Sequence, residues 1–166
     1  MCSSDLPSFS EAVGVAVTPD GRTVYISNYA GNTVSVIDSA TDTVTKVIQD
    51  PSFNFPWGAV VTPDGRKVYV VNNGPDFDGN TVSVIDTATN TVTESITLPD
   101  GKGPTIVAVT PDGSQVYVGN DSDIDAVSVI ATATNTVGSI PVGGFPGAVA
   151  VTPDGRKVYA VNATCR

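Results

Sequence analysis

The chain has 166 residues and a formal net charge of −9, with 17 acidic side chains, 8 basic ones and no histidine. That balance excludes a nucleic-acid binder, whose ligand demands a basic surface, and an anionic membrane face. No apolar run is long enough to span a bilayer and no stretch has helical period, so an all-β fold without helices is expected.

Residues 1–10 stand outside any repeat. The opening Met1-Cys2-Ser3-Ser4-Asp5-Leu6 matches what one frame of a common sequencing-adaptor end encodes. It is therefore expected to be a read artefact joined to a truncated gene, with a natural unstructured tail as the alternative. From residue 11 a pattern sets in and runs to the end, giving one repeat domain over 11–166. The phrase Thr-Pro-Asp-Gly recurs at Thr18, Thr62, Thr110 and Thr152, in steps of 44, 48 and 42 residues. Each copy is followed by Val-Tyr-x-x-Asn, ending at Asn28, Asn72, Asn120 and Asn162. A period in the forties with several short apolar strands per unit marks a β-propeller or a related array.

The second repeat shows the unit most fully. Gly58 to Val61 is a short apolar run suited to an inner strand, and Thr62-Pro63-Asp64-Gly65 reverses the chain. Lys67 to Asn72 is a second strand, Thr81 to Asp86 a third with clean alternation, and Thr91 to Leu98 a fourth with a wetter face. Four antiparallel strands make one blade. Blade 1 is expected at about 11–49, blade 2 at about 56–98, blade 3 at about 103–142, and a half-blade at about 146–162. About three and a half blades form an incomplete, open propeller, so the chain reads as a fragment whose bare apolar flanks favour self-association. In the third repeat Ala131 stands where Asp38 and Asp86 would hold the outer turn, which is expected to be less firmly tied there.

The stretches Tyr25-Ile26-Ser27-Asn28, Tyr69-Val70-Val71-Asn72, Tyr117-Val118-Gly119-Asn120 and Tyr159-Ala160-Val161-Asn162 resemble the repeat that names the YVTN β-propeller family. The flanking Val-Thr-Pro-Asp-Gly and Thr-Val-Ser-Val-Ile-Asp phrases look like the same family, over Ala12 to Asn162. The resemblance implies a propeller of about seven blades, common in surface-layer proteins and in secreted or periplasmic proteins, with some lactonase-like relatives. An extracytoplasmic location is expected on that ground. Cys2 and Cys165 lie outside the repeats and read as incidental.

In such a meander the Thr-Pro-Asp-Gly turns and the outer turns share one end, which is near-identical from repeat to repeat. The opposite end, where the repeats differ, is the place to look for binding. It collects Phe55 and Trp57 on the first interblade link, Phe77 in the second blade and Phe145 before the last half-blade, as candidate ligand-binding residues. Covering the seam between blades is the competing role for these rings. It also carries Asp76, Asp78, Asp121, Asp123 and Asp125, oxygen donors suited to a calcium ion, although no EF-hand spacing is present. The ordinary turn-forming role of aspartate competes there.

No catalytic residue stands out. Without histidine the commonest general base and the usual haem or zinc ligand are missing, and no nucleophile elbow or phosphate loop occurs. The expected function is a non-catalytic binding or structural module of a secreted or cell-surface propeller that contacts protein or carbohydrate, beside the remaining blades of a longer protein. A lactonase-like hydrolase with a divalent cation near the central channel is the alternative. A redox propeller with haem or a quinone is disfavoured.

Overall fold

A computed structural model describes residues 10–99, 101–120 and 125–163. Among them every regular element is a strand. The first sheet is a meander of β1 (Ala12–Val17), β2 (Thr23–Asn28), β3 (Thr33–Asp38) and β4 (Thr43–Gln49). The second is β5 (Pro56–Val61), β6 (Lys67–Asn72), β7 (Thr81–Asp86) and β8 (Thr91–Thr97). The third is β9 (Pro104–Val109), β10 (Gln115–Asn120), β11 (Ala126–Ala131) and β12 (Thr136–Pro141). A two-stranded sheet of β13 (Phe145–Val151) and β14 (Val158–Ala163) follows. All pairings are antiparallel between sequence neighbours. The inner strands β1, β5, β9 and β13 pack side by side as a shared hub, so the sheets are blades of an open propeller.

The apolar core lies between blades. Val68 and Val70 of β6 face the first blade, packing with Tyr25, Val34, Val36 and Ile48. Tyr69 and Val71, the alternate residues of the same strand, join Val116, Val118 and Ile130 of the third blade. A strand buried on both faces cannot alternate apolar with polar, which explains the unbroken Val-Tyr-Val-Val. Blades at the ends of the array lack one such partner. Val13, Val15 and Val17 of β1 are 43, 62 and 51% exposed, and Tyr159 and Val161 of β14 are 58 and 62% exposed.

The Thr-Pro-Asp-Gly turn is closed by one aspartate. Asp20 Oδ1 accepts from Thr18 Oγ1 at 2.6 Å and from the Arg22 amide at 3.1 Å, while Thr23 N–H donates to Thr18 Oγ1 at 3.0 Å. The same three bonds recur around Asp64, Asp112 and Asp154. The turn glycines have φ of 70 to 73°, which favours glycine over any residue with a Cβ. They also stack: a Cβ on Gly65 would sit 3.5 Å from Pro19 of the preceding blade, and one on Gly113 would sit 3.3 Å from Pro63.

The asparagine that ends each second strand bolts the blade at its other end. Asn72 Nδ2 donates to Thr81 Oγ1 at 3.0 Å and to Ser83 Oγ at 2.9 Å, and its Oδ1 accepts from the Asn54 amide of the interblade link at 3.3 Å. Asn28 repeats the bonds to Thr33 and Ser35, and Asn120 the bond to Ser128. All three asparagines are fully buried, where an unmade polar bond costs about 1–3 kcal/mol. The link between Val-Tyr-x-x-Asn and the downstream Thr-Val-Ser is this bolt.

The outer turns behave as the carboxylates dictate. Asp38 accepts from the Ala40 amide at 2.8 Å and Asp86 from the Thr89 amide at 2.9 Å. Around Ala131 the Thr134 amide donates to the Ala131 carbonyl at 3.2 Å, where the matching Thr89 amide uses the Asp86 carboxylate. The Asn135 N–H bond to Ala131 O, at 2.7 Å, has its counterpart in Asn90 N–H to Asp86 O. Tyr25 reaches from β2 to the outer turn of the next blade, donating to Asn90 Oδ1 at 2.6 Å.

Burial pushes the hydroxyls of Tyr25 and Tyr69 up to about 12, with Asp86 adding for Tyr25 and Glu94 and Asp64 for Tyr69. A raised folded-state pKa gives stability that is complete below the unfolded value of about 10 and lost as pH rises toward 12. The melting temperature, followed by circular dichroism, is expected to fall across that window. The fall should be shallower in a Tyr25→Phe/Tyr69→Phe variant than in the parent.

Candidate functional site

The two ends of the blade array differ in chemistry. At the turn end Ser39 Oγ donates to Gly21 O, Thr87 Oγ1 to Gly65 O and Thr132 Oγ1 to Gly113 O, at 2.5, 2.7 and 2.6 Å, tying each outer turn to its Thr-Pro-Asp-Gly turn. The acids of the Thr-Pro-Asp-Gly turns are occupied. The hydroxyls of Thr18, Thr62 and Thr152, then backbone amides, hold Asp20, Asp64 and Asp154 below the usual carboxylate range. Thr110, the Ser114 amide and the Ser114 hydroxyl bring Asp112 down to about 2. Thr89, through its amide and then its hydroxyl, holds Asp86 below the usual carboxylate range. A cavity of about 310 Å³ opens between Asp20 and Tyr25 of the first blade and Asp64 and Thr87 of the second. A similar one recurs at the next seam, lined by Asp64, Lys67, Asp112 and Thr132, so both are products of the repeat.

The loop end has no such regularity. The link from β4 to β5 is anchored on both blades: Phe55 N–H donates to Asn32 Oδ1 at 2.6 Å, and Phe55 O accepts from the Asn73 amide at 3.0 Å. Ser52 Oγ lies 3.0 Å from Ser83 Oγ, and Phe53 is buried beneath the link. These bonds hold Phe55 at φ 52°, in the left-handed region that bulky residues avoid. Phe77 stands at φ 58° in the loop from β6 to β7. That loop is closed by Gly79 N–H donating to Asn73 O at 2.8 Å. A Cβ on Gly79 would lie 2.3 Å from Asn72 O, so only glycine permits the closure that presents Asp76, Phe77 and Asp78 outward.

Three of the residues singled out from the sequence meet there, together with one that was passed over. Tyr29 contacts Phe55 edge-on with centroids 4.8 Å apart, and contacts Trp57 at 5.2 Å with the ring planes at 89°. Trp57 lies 6.4 Å from Phe77 at 49°. One side of Trp57 packs on the core between the second and third blades, whereas Phe77 is 45% exposed. The seam-covering role and an exposed ring surface therefore coexist. Tyr29 follows Asn28 in a loop without acids, and its position directly after the bolting asparagine was the available signal. Neither Trp57 nor Phe145 lies on the link that the sequence suggests: Trp57 is in β5, and Phe145 opens β13 opposite Ala163 on the fourth sheet. The cause is the edge position of the inner strand, where proline is tolerated: Pro56, Pro104 and Pro146 pair with Asn72, Asn120 and Asn162.

Of the candidate metal ligands, Asp76 and Asp78 are exposed on either side of Phe77. Asp125 precedes β11 on the third blade, where its carbonyl accepts from the Val142 amide at 2.7 Å. Asp121 and Asp123 lie outside the described residues. Among the described residues no three acidic, cysteine or histidine side chains gather closely enough to hold a metal ion. No helix among them is long and apolar enough to cross a membrane.

The blades and their hub define a β-propeller array with an aromatic cluster at its loop end. Comparison with known proteins agrees on the fold. Kuenenia stuttgartiensis hydrazine synthase superposes with a TM-score of 0.84 and 28% identity over 99% of this chain and 46% of that one. A 6-phosphogluconolactonase-like protein from Bacteroides uniformis gives 0.77 and 17% identity, over 91% of this chain and 47% of that one. A functionally unknown protein from Desulfotomaculum acetoxidans gives 0.74 and 17%, over 91% and 49%. In sequence, PE-PGRS family protein PE_PGRS18 of Mycobacterium tuberculosis is 54% identical over 43 residues, 26% of this chain and 9% of that protein. The chain thus spans about half the length of the solved structures it matches. No family model matches the chain.

The two roles within the cluster separate by mutation. Trp57→Ala removes a ring packed on the core and should lower stability by about 2–4 kcal/mol. Phe77→Ala removes an exposed ring and should cost less than about 1 kcal/mol. Denaturant unfolding of both variants measures the difference.

Proposed function

We propose that the chain is a non-catalytic binding module, part of a secreted or cell-surface propeller of the YVTN repeat type, whose loop end contacts protein or carbohydrate. The observation that carries this reading is the aromatic cluster of Tyr29, Phe55, Trp57 and Phe77, with two of its backbones held in the left-handed region. Holding a bulky residue there costs on the order of 1–3 kcal/mol, and such strain gathers at ligand sites. Exposed aromatic rings on a rigid scaffold give contact area at low entropic cost. The turn end repeats one polar turn from blade to blade, its aspartates bonded within the turn.

The lactonase-like alternative draws on the Bacteroides uniformis protein, a likeness that carries the fold. Its requirement for a cation near the channel makes calcium the reagent that separates the readings. Trp57 is the single tryptophan of the chain, so its emission reports on the cluster directly. Titration of the protein with panels of oligosaccharides and peptides, with and without calcium, is expected to give a saturable change in that emission. Phe77→Ala should weaken it about tenfold. Calcium-dependent hydrolysis of a simple lactone, with no ligand effect on Trp57, would contradict the binding reading.

A further inference from the structure

We infer that the loop-end cluster receives a cationic side chain, arginine or lysine, from a basic segment of a partner protein. This rests on the binding reading above and names the chemistry of its ligand. Tyr29 and Trp57 stand at 89° with centroids 5.2 Å apart, and Phe55 meets Tyr29 at 65° and 4.8 Å. These edge-to-face contacts fix the cluster and leave Phe77, tilted against Trp57 and 45% exposed, as the ring it presents outward, and the negative face of an exposed ring attracts a cation.

The charge around the rings points the same way. The Tyr29 amide donates to the carbonyl of Glu11 at 3.0 Å, so the two main chains are paired at this end. Asp76 and Asp78 flank Phe77 in the chain, and all three acids are exposed. The basic side chains sit elsewhere. Arg22, Arg66, Lys67, Arg156 and Lys157 belong to the turn end, and the ammonium of Lys46 is 3.2 Å from Thr89 O in an outer turn. Among the described residues, Lys102 is the single base at the loop end. A chain of net charge −9 that keeps its cations at one end presents a negative field at the other, and such a field steers basic partners. A neutral glycan would leave this acid rim unused, and no three of the described acids converge on a metal ion.

The test uses Trp57 emission with a hexa-arginine peptide as probe, a Ser-Gly peptide of equal length and maltohexaose as neutral controls, at low and moderate salt. The expected result is saturable binding of the arginine peptide alone. Phe77→Ala should weaken it about tenfold, and an Asp76→Asn/Asp78→Asn variant should weaken it by a similar factor and flatten its salt dependence. Circular dichroism of both variants confirms that they remain folded. Equal affinity in the parent and both variants would overturn the inference, because the peptide would then be held by acidic surface at large. A response to maltohexaose or to the Ser-Gly peptide without one to hexa-arginine would also overturn it, while leaving the binding reading intact. Silence toward all three probes overturns the inference, and the wider ligand panels then decide the binding reading.

Discussion

Burial between neighbouring sheets is the constraint on which this molecule depends. No blade owns a core: the side chains of β6 are shared, Val68 and Val70 with the blade before and Tyr69 and Val71 with the blade after. Each of those residues is fully buried, and each would face water if its neighbour were removed. Repeat proteins are stable in this nearest-neighbour sense, as stacked units held by their interfaces. The consequence is visible at the flanks, where Val15 of β1 and Val161 of β14 are each 62% exposed.

Apolar burial alone would let the blades slide, and the polar groups prevent that. At one end the turn prolines and glycines stack from blade to blade, and the Tyr25 hydroxyl reaches Asn90 across a seam. At the other end a buried asparagine ties second strand to third and, in the second blade, to the incoming link. The link is therefore anchored at both ends, and it can hold Phe55 in a backbone conformation that an isolated peptide would leave. The aromatic cluster is a product of that rigidity.

Much of this was legible because the repeat prints the same local chemistry several times over. The turn, the strands and the shared loop end follow from Thr-Pro-Asp-Gly and Val-Tyr-x-x-Asn, whose residues act over a few positions in the chain. At Ala131, where the carboxylate is missing, the Thr134 amide turns to the Ala131 carbonyl instead. What escaped were partnerships across blades. Nothing in the residues around Tyr29 says that a ring from a link over twenty positions later will meet it edge-on. Tyr69 shows the limit of repetition itself. By analogy with Tyr25 its hydroxyl should donate to Asn135 Oδ1, yet among the described residues neither atom has a hydrogen-bond partner, while Asn135 Nδ2 donates to the Glu94 carboxylate. Phe145-Pro146 was misplaced because proline suggests a loop, whereas an inner edge strand accommodates it.

The claim that stability resides between blades is tested most directly by native-state hydrogen exchange on β2 and β6. Both are the second strand of a four-stranded sheet and are hydrogen-bonded on both sides, so their amides differ mainly in how many faces a neighbouring blade covers. Shared burial predicts that the amides of Val68 to Val71, covered on both faces, exchange markedly more slowly than those of Val24 to Ser27. Equal protection in the two strands would mean that each sheet is stable in its own right, and would contradict the account.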